Sequence, residues 1–197
     1  MKAEPSSAAL HPSTDSSNRL LARMNPRRLD AESVRDAVLA VSGCLNPVMG
    51  GPGFQDFAYE DAYAPIYKHI TADKPELWRR SIYRFIVRTT PQRFLTTLDC
   101  PNPANLTPAR MTTTTALQSL ALMNNEFMLR QSERFADRVK REAGDATSAQ
   151  VARAFALAFQ RQPDATEAAG AAELAESQGL AALCRVLLNA NEFVHVD

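Results

Sequence analysis

Apolar residues recur every three to four positions through most of the second half of this chain, and lose that period in the middle. Near the front, Val34, Ala37, Val38 and Val41 fall at helical spacing, which predicts an amphipathic helix. Asp30 stands where an N-cap would accept from free backbone N–H groups, Leu29 and Val34 occupy the positions of a hydrophobic staple, and Gly43 supplies a left-handed stop. From Asn46 to Pro75 the text changes. Gly50-Gly51-Pro52-Gly53 is followed by Phe54, Phe57, Tyr59, Tyr63 and Tyr67 without a helical period, so this stretch reads as an irregular lobe. Over Ser81–Thr89, Tyr83, Phe85 and Val87 alternate with Ile82, Arg84, Ile86 and Arg88. That alternation predicts a strand with one wetter face, although Ile82, Phe85, Ile86 and Thr89 also fit a helical face. Thr90-Pro91 then predicts a short helix, capped by the threonine and running to about Leu98.

The remainder is helical text with regular punctuation. Thr115 with Gln118, Thr147 with Gln150 and Asp164 with Glu167 have capping-box spacing, and Gly144 and Gly179 sit where helices must stop. These signals predict helices near 116–123, 126–142, 148–160, 165–177 and 180–190, joined by connectors short enough for antiparallel neighbours. The expected fold is mainly α, a helical bundle with a small β or irregular lobe. Residues 1–17, rich in Ser, Pro and Ala, predict a flexible tail; residues 18–197 predict a single mainly helical domain.

Charge and cysteine content narrow the function classes. Lys+Arg and Asp+Glu balance at 22 each in 197 residues, so no global field draws the chain to nucleic acid. No run approaches the roughly 18 apolar residues of a membrane span, and the first 18 residues lack the apolar core of an export signal. Cys44, Cys100 and Cys184 are odd in number and far apart, which excludes a C-x-x-C pair and a C-x-x-C-H haem attachment. Their surroundings in sequence suit small buried hydrophobes better than reactive thiols. His11, His69 and His195 lack zinc-site spacing, so no metal ligands are expected.

The candidate binding residues are Arg27, Arg28, Arg79, Arg80 and Asp99. Guanidinium planes bond carboxylates such as Asp30, Asp36 and Asp99 in bidentate fashion, so the basic pairs pin distant segments together or, if they converge on a cleft, hold an anionic substrate such as a sulfated or uronic-acid sugar. The same aspartates could supply the paired carboxylates of glycoside hydrolysis, but Asp30 already reads as a cap and Asp36 lies mid-helix. No catalytic residue is assigned.

One pattern occurs twice, 66 residues apart: Ala116-Leu117-x-x-Leu120-Ala121-Leu122-Met123-Asn124-Asn125-Glu126-Phe127 and Ala182-Leu183-x-x-Val186-Leu187-Leu188-Asn189-Ala190-Asn191-Glu192-Phe193. As a packing device it would use Asn124, Asn125, Asn189 and Asn191 to end helices, by left-handed geometry or by bonding nearby backbone. Phe127 and Phe193 would then fold onto the core, and Glu126 and Glu192 would make equivalent bonds. Two further blocks accompany it: Asn18-Arg19-Leu20-Leu21 with Asn25-Pro26-Arg27-Arg28-Leu29-Asp30-Ala31-Glu32, and Arg79-Arg80-Ser81-Ile82-Tyr83-Arg84-Phe85 running to Thr96-Thr97-Leu98-Asp99-Cys100. In this order they resemble the carboxy-terminal part of the PSD-type domain of unknown function, number fifteen fifty-three, found in planctomycete multidomain proteins beside planctomycete cytochrome c domains. The likeness runs from about Asn18 to Asp197. The resemblance implies an exported protein of the cell envelope. It also implies, as partners, a cytochrome c domain or the family's helical first part, which is missing ahead of Asn18. No cofactor is expected in this chain itself. The expected function is a non-catalytic interaction or scaffold module, the alternative a hydrolase or redox accessory domain acting on complex or anionic polysaccharide.

Overall fold

The computed structural model describes residues 17–20, 24–63, 65–70 and 74–196; all but the last residue of the tail expected over 1–17, with His11, Leu21 and Asp197, lies outside them. A two-residue strand, β1 (Arg27–Arg28), leads into α1 (Ala31–Val41). α1 buries Ala31, Val34, Val38 and Leu39 and ends before Gly43, whose φ of +77° is accessible at little cost only without a Cβ. Asp30 precedes the helix as expected but its side chain makes no cap bond. The Arg110 guanidinium, 3.8 Å from Asp30 Oδ2, competes for the carboxylate.

The lobe is built from short pieces. β2 (Phe57–Glu60) and β3 (Ile66–His69) form an antiparallel hairpin with Phe57 opposite His69 and Glu60 opposite Ile66. Single parallel bridges tie Asn46 to Arg79 and Phe54 to Arg84. Gly53 is required at this crossing, since a Cβ there would stand 2.9 Å from the Tyr83 carbonyl oxygen. The strand expected over 81–89 does not form. Ser81–Tyr83 is a 3-10 turn, closed where Tyr83 N donates to Arg80 O and Arg84 N donates to Ser81 O. The alternation is overridden by an ion pair: the Arg84 side chain is only 9% exposed, bonded to Asp56 at 2.8 Å, while Ile82 is 77% and Phe85 48% exposed. Phe54 N donates to Tyr83 O and Phe85 N donates to Phe54 O, which fixes the segment with the paired arginine turned inward.

α2 (Arg93–Thr97) starts later than expected, and its N-cap is Gln92, whose side chain accepts from Leu95 N. Thr90 is held outside the helix because its carbonyl lies 3.1 Å from His69 Nε2 of the hairpin. The bundle then follows as α3 (Ala116–Asn124), α4 (Glu126–Ala143), α5 (Thr147–Phe159), α6 (Ala165–Gln178), α7 (Leu180–Asn189) and α8 (Asn191–Val194). Thr115 with Gln118 and Asp164 with Glu167 form complete capping boxes. The third expected box is absent: Thr147 lies inside α5, and Gln150 Nε2 donates instead to Gly144 O at 2.6 Å. Asn125 is extended rather than left-handed and caps α4 by accepting from Phe127 N. Asn191, which aligns with Asn125, is instead the first residue of α8, and the N-cap there is Ala190, which has no side-chain acceptor.

α4 packs against α7, α5 and α1, and α7 against α6 and α3. Their shared core contains Val34, Val38, Leu98, Met128, Phe135, Val139, Val151, Cys184 and Leu188, each side chain worth about 1.5–3 kcal/mol of burial where it is large and apolar. β4 (His195–Val196) returns to β1, with Arg27 opposite Val196 and Arg28 opposite His195. Two segments far apart in sequence are thereby stitched together. The fold is mainly α. Among the described residues no helix is long and apolar enough to cross a membrane.

Candidate functional site

The five residues singled out in the sequence fall in three separate places. Arg28 and Asp99 are paired at 3.0 Å, with side chains 8% and 17% exposed. Arg28 Nη1 also donates to Gln118 Oε1 and to the Thr113 carbonyl. Asp99 accepts from Thr113 N at 2.8 Å and Gln118 Nε2 at 3.0 Å. Burial pushes the Asp99 carboxyl up, but the bonds from Thr113 and Gln118 and the Arg28 charge outweigh it and hold the group below its ordinary range. The hollow beside this cluster measures only about 10 Å³, too small for more than a water.

Arg79 and Arg80 lie at the base of the lobe. Arg79 Nη1 donates to Pro52 O at 2.8 Å, Nη2 donates to Val48 O and Gly50 O, and the guanidinium stacks on Tyr83 at 4.1 Å. The Gly50–Gly53 loop is wrapped around one arginine. Arg80 stands 3.8 Å from Asp36, which also accepts from Ser81 N and Ser81 Oγ. Arg27 is exposed on β1, and among the described residues no carboxylate pairs with it. Asp30, Asp36 and Asp99 therefore each face a cation from their own chain.

A residue that periodicity alone obscures joins lobe to bundle. Arg35 Nη1 donates to Arg79 O at 3.0 Å and Ser81 Oγ at 3.2 Å, and Nη2 donates to Leu77 O at 2.6 Å. Its guanidinium lies 5.2 Å from the Phe54 ring centre and 5.7 Å from that of Phe127. Burial pulls its pKa down, opposed by the Asp36 charge. The signal was present: Ala31, Val34, Arg35 and Val38 occupy one i, i+3, i+4, i+7 stripe, so a cation stood on the apolar face.

Beside Arg35 a cavity of about 510 Å³ opens between the hairpin, α2 and the start of α4. Tyr67, Trp78, Phe94 and Phe127 give it aromatic walls, and Lys68, Arg93 and Arg130 surround it with positive charge. Its one lining carboxylate, Asp56, is already paired with Arg84. A broader groove of about 880 Å³ beside Leu29, Phe159 and Phe193 is largely apolar, and its charged members are engaged elsewhere: Arg138 donates to Ala40 O and Val41 O, and Glu192 pairs with Arg161.

Cys100 and Cys184 are held in the thiol form. Burial and the neighbouring Glu32 carboxylate push Cys100 up to about 11, and burial pushes Cys184 to about 12. His69 Nε2 and His195 Nδ1 face the carbonyls of Thr90 and Asn191. Among the described residues no three His, Cys, Asp or Glu side chains gather into a possible metal site. The two Asn-Glu-Phe segments differ in their bonds: Glu126 pairs with Arg130 one turn on in its own helix, whereas Glu192 bonds Arg161 across the bundle at 2.6 Å.

A family model described as PSD1, protein of unknown function (DUF1553), matches residues 2–175. No curated protein and no solved structure matches the chain. With the model covering most of its length, the chain belongs to the PSD1 family of proteins of unknown function.

Proposed function

We propose that the chain is a non-catalytic interaction module, a scaffold segment of a larger planctomycete-type envelope protein, in which a cytochrome c domain or a further part of the family domain is the neighbour it positions. The observation that supports this reading is the disposition of charge. Asp36 and Asp99 each face a cation and accept hydrogen bonds, from Ser81 or from Thr113 and Gln118, within the chain itself. A general acid or base needs open hydrogen-bond reach to the reacting atom. These groups spend that reach on the protein.

Incubation of the purified chain with acidic and neutral polysaccharides, followed by assay of newly formed reducing ends, tests this reading. The expected result is no release above buffer, with Asp99→Asn lowering the melting temperature and leaving the assay unchanged. Sustained release that Asp99→Asn or Asp36→Asn abolishes would overturn the proposal.

A further inference from the structure

We propose that the cavity between the hairpin and α4 binds a single acidic sugar unit, a pyranose bearing a carboxylate or a sulfate. Its volume of about 510 Å³ falls in the range of small-molecule sites, about 300–1,000 Å³. The lining supplies two kinds of contact, and each constrains the ligand.

The first is an excess of donors. Gln92 Oε1 is consumed in accepting from Leu95 N at 2.7 Å, and Asn125 Oδ1 in accepting from Phe127 N at 3.0 Å. Each amide therefore retains its NH2 group as the part able to bond an occupant, which favours neutral acceptors such as hydroxyl and ring oxygens. Lys68 and Arg130 add charge at the mouth, although they already contact Glu60 and Glu126. Arg93 differs from both: it lines the cavity, is exposed, and among the described residues meets no carboxylate. Asp56, the one carboxylate in the lining, is neutralised by Arg84 at 2.8 Å. Asp56 Oδ1 and His69 Nδ1 are buried without a partner, but Lys68, Arg93 and Arg130 outnumber the one paired carboxylate, which favours an occupant that brings a negative charge.

The second is aromatic surface. Tyr67 and Trp78, each half-buried, line the cavity, and the C–H face of a pyranose packs against them while its edge hydroxyls reach the amides; Phe94 is only 3% exposed and Phe127 already carries Arg35 over its ring, so neither stacks on the sugar. A nucleotide fits less well, since the lining has no glycine-rich loop of backbone N–H groups to hold a phosphate chain. The proposal deepens the preceding reading by giving the module a ligand. Only the release of that ligand unchanged rests on the non-catalytic reading.

Trp78 is the chain's sole tryptophan and lines the cavity, so its emission reports on occupancy directly. The full chain is titrated with digalacturonate, N-acetylglucosamine 6-sulfate and cellobiose. One or both acidic probes are expected to shift Trp78 emission saturably, and which of them does so identifies the preferred anion; cellobiose is expected to give no saturable change. Arg93→Ala should weaken acidic-probe binding about tenfold, the scale of one lost charge-assisted bond, and Arg93→Glu by more. Arg141→Ala, exposed near the end of α4 and outside the cavity lining, should leave it unchanged. Absence of a saturable response to either acidic probe, an equal response to cellobiose, or an affinity indifferent to both Arg93 variants with native circular dichroism would overturn the proposal. Mass spectrometry of the recovered probe separates the two readings: intact probe supports both, whereas cleaved probe with saturable binding overturns the non-catalytic reading and leaves the site standing.

Discussion

The bundle and the lobe of this protein are held by opposite means. Residues 116–194 cohere through aliphatic and aromatic side chains, with Met128, Phe135, Val139 and Leu188 fully buried. Residues 46–90 contribute few such groups. They cohere through arginines that bond backbone oxygens: Arg79 holds the carbonyls of 48, 50 and 52, and Arg35 holds those of 77 and 79. Hydrophobic burial is non-directional and tolerates adjustment, whereas a guanidinium fork fixes position and leaves polar groups stranded if it is removed. The lobe should therefore fail locally and the bundle globally.

The largest expected effect is in the bundle. Phe135→Ala should lower the unfolding free energy by about 3–5 kcal/mol in a single cooperative transition by calorimetry; a loss confined to one segment would break the contrast. Next come the helix caps, where two threonines at similar sequence positions separate. Thr115→Ala removes a capping-box bond and should cost about 1 kcal/mol, whereas Thr147→Ala, inside α5 and without a cap bond, should stay within about 0.5 kcal/mol. Equal costs in denaturant titrations would contradict the assigned caps.

The smallest effect concerns acid. Bonds from Arg161 and from the Asp164 backbone lower Glu167 from an ordinary 4.5 to about 2. A depressed carboxylate stabilises the fold fully above its unfolded value, and that stabilisation is lost as pH falls through the folded one. Melting temperature should accordingly fall between about pH 4.5 and 2, and Glu167→Gln should flatten that fall. A steeper fall in the variant would show that Arg161 does not supply the clamp.

The same division governs what the sequence made legible. The bundle's helices were readable because period and punctuation agree: Thr115 with Gln118 and Asp164 with Glu167 mark starts, and Gly144 and Gly179 mark stops, at or within one residue of the observed limits. Thr147 misled because capping-box spacing does not reveal that Gln150 bonds the preceding Gly144 carbonyl. In the lobe, local pattern gave a strand over 81–89, where long-range pairing of Arg84 with Asp56, 28 residues earlier, produced a turn. The pairing of Arg28 with Asp99 was foreseeable as chemistry, since both residue types stood in the text, but not as an address. Arg79 was expected to meet a carboxylate and instead meets carbonyls, which every residue carries and no sequence pattern marks. The cavity beside Trp78 was illegible for a related reason: its walls come from α1, the hairpin, α2 and α4, and only their docking brings them together.

The most direct measurement is hydrogen exchange, read peptide by peptide, on the native chain and on Arg35→Leu. The substitution should strip protection from residues 46–60 and 74–87 while α4 and α7 keep theirs, because the buried Arg35 guanidinium docks the lobe and the apolar core holds the bundle without it. Unchanged protection in the lobe, or an equal loss throughout the molecule, would contradict that expectation.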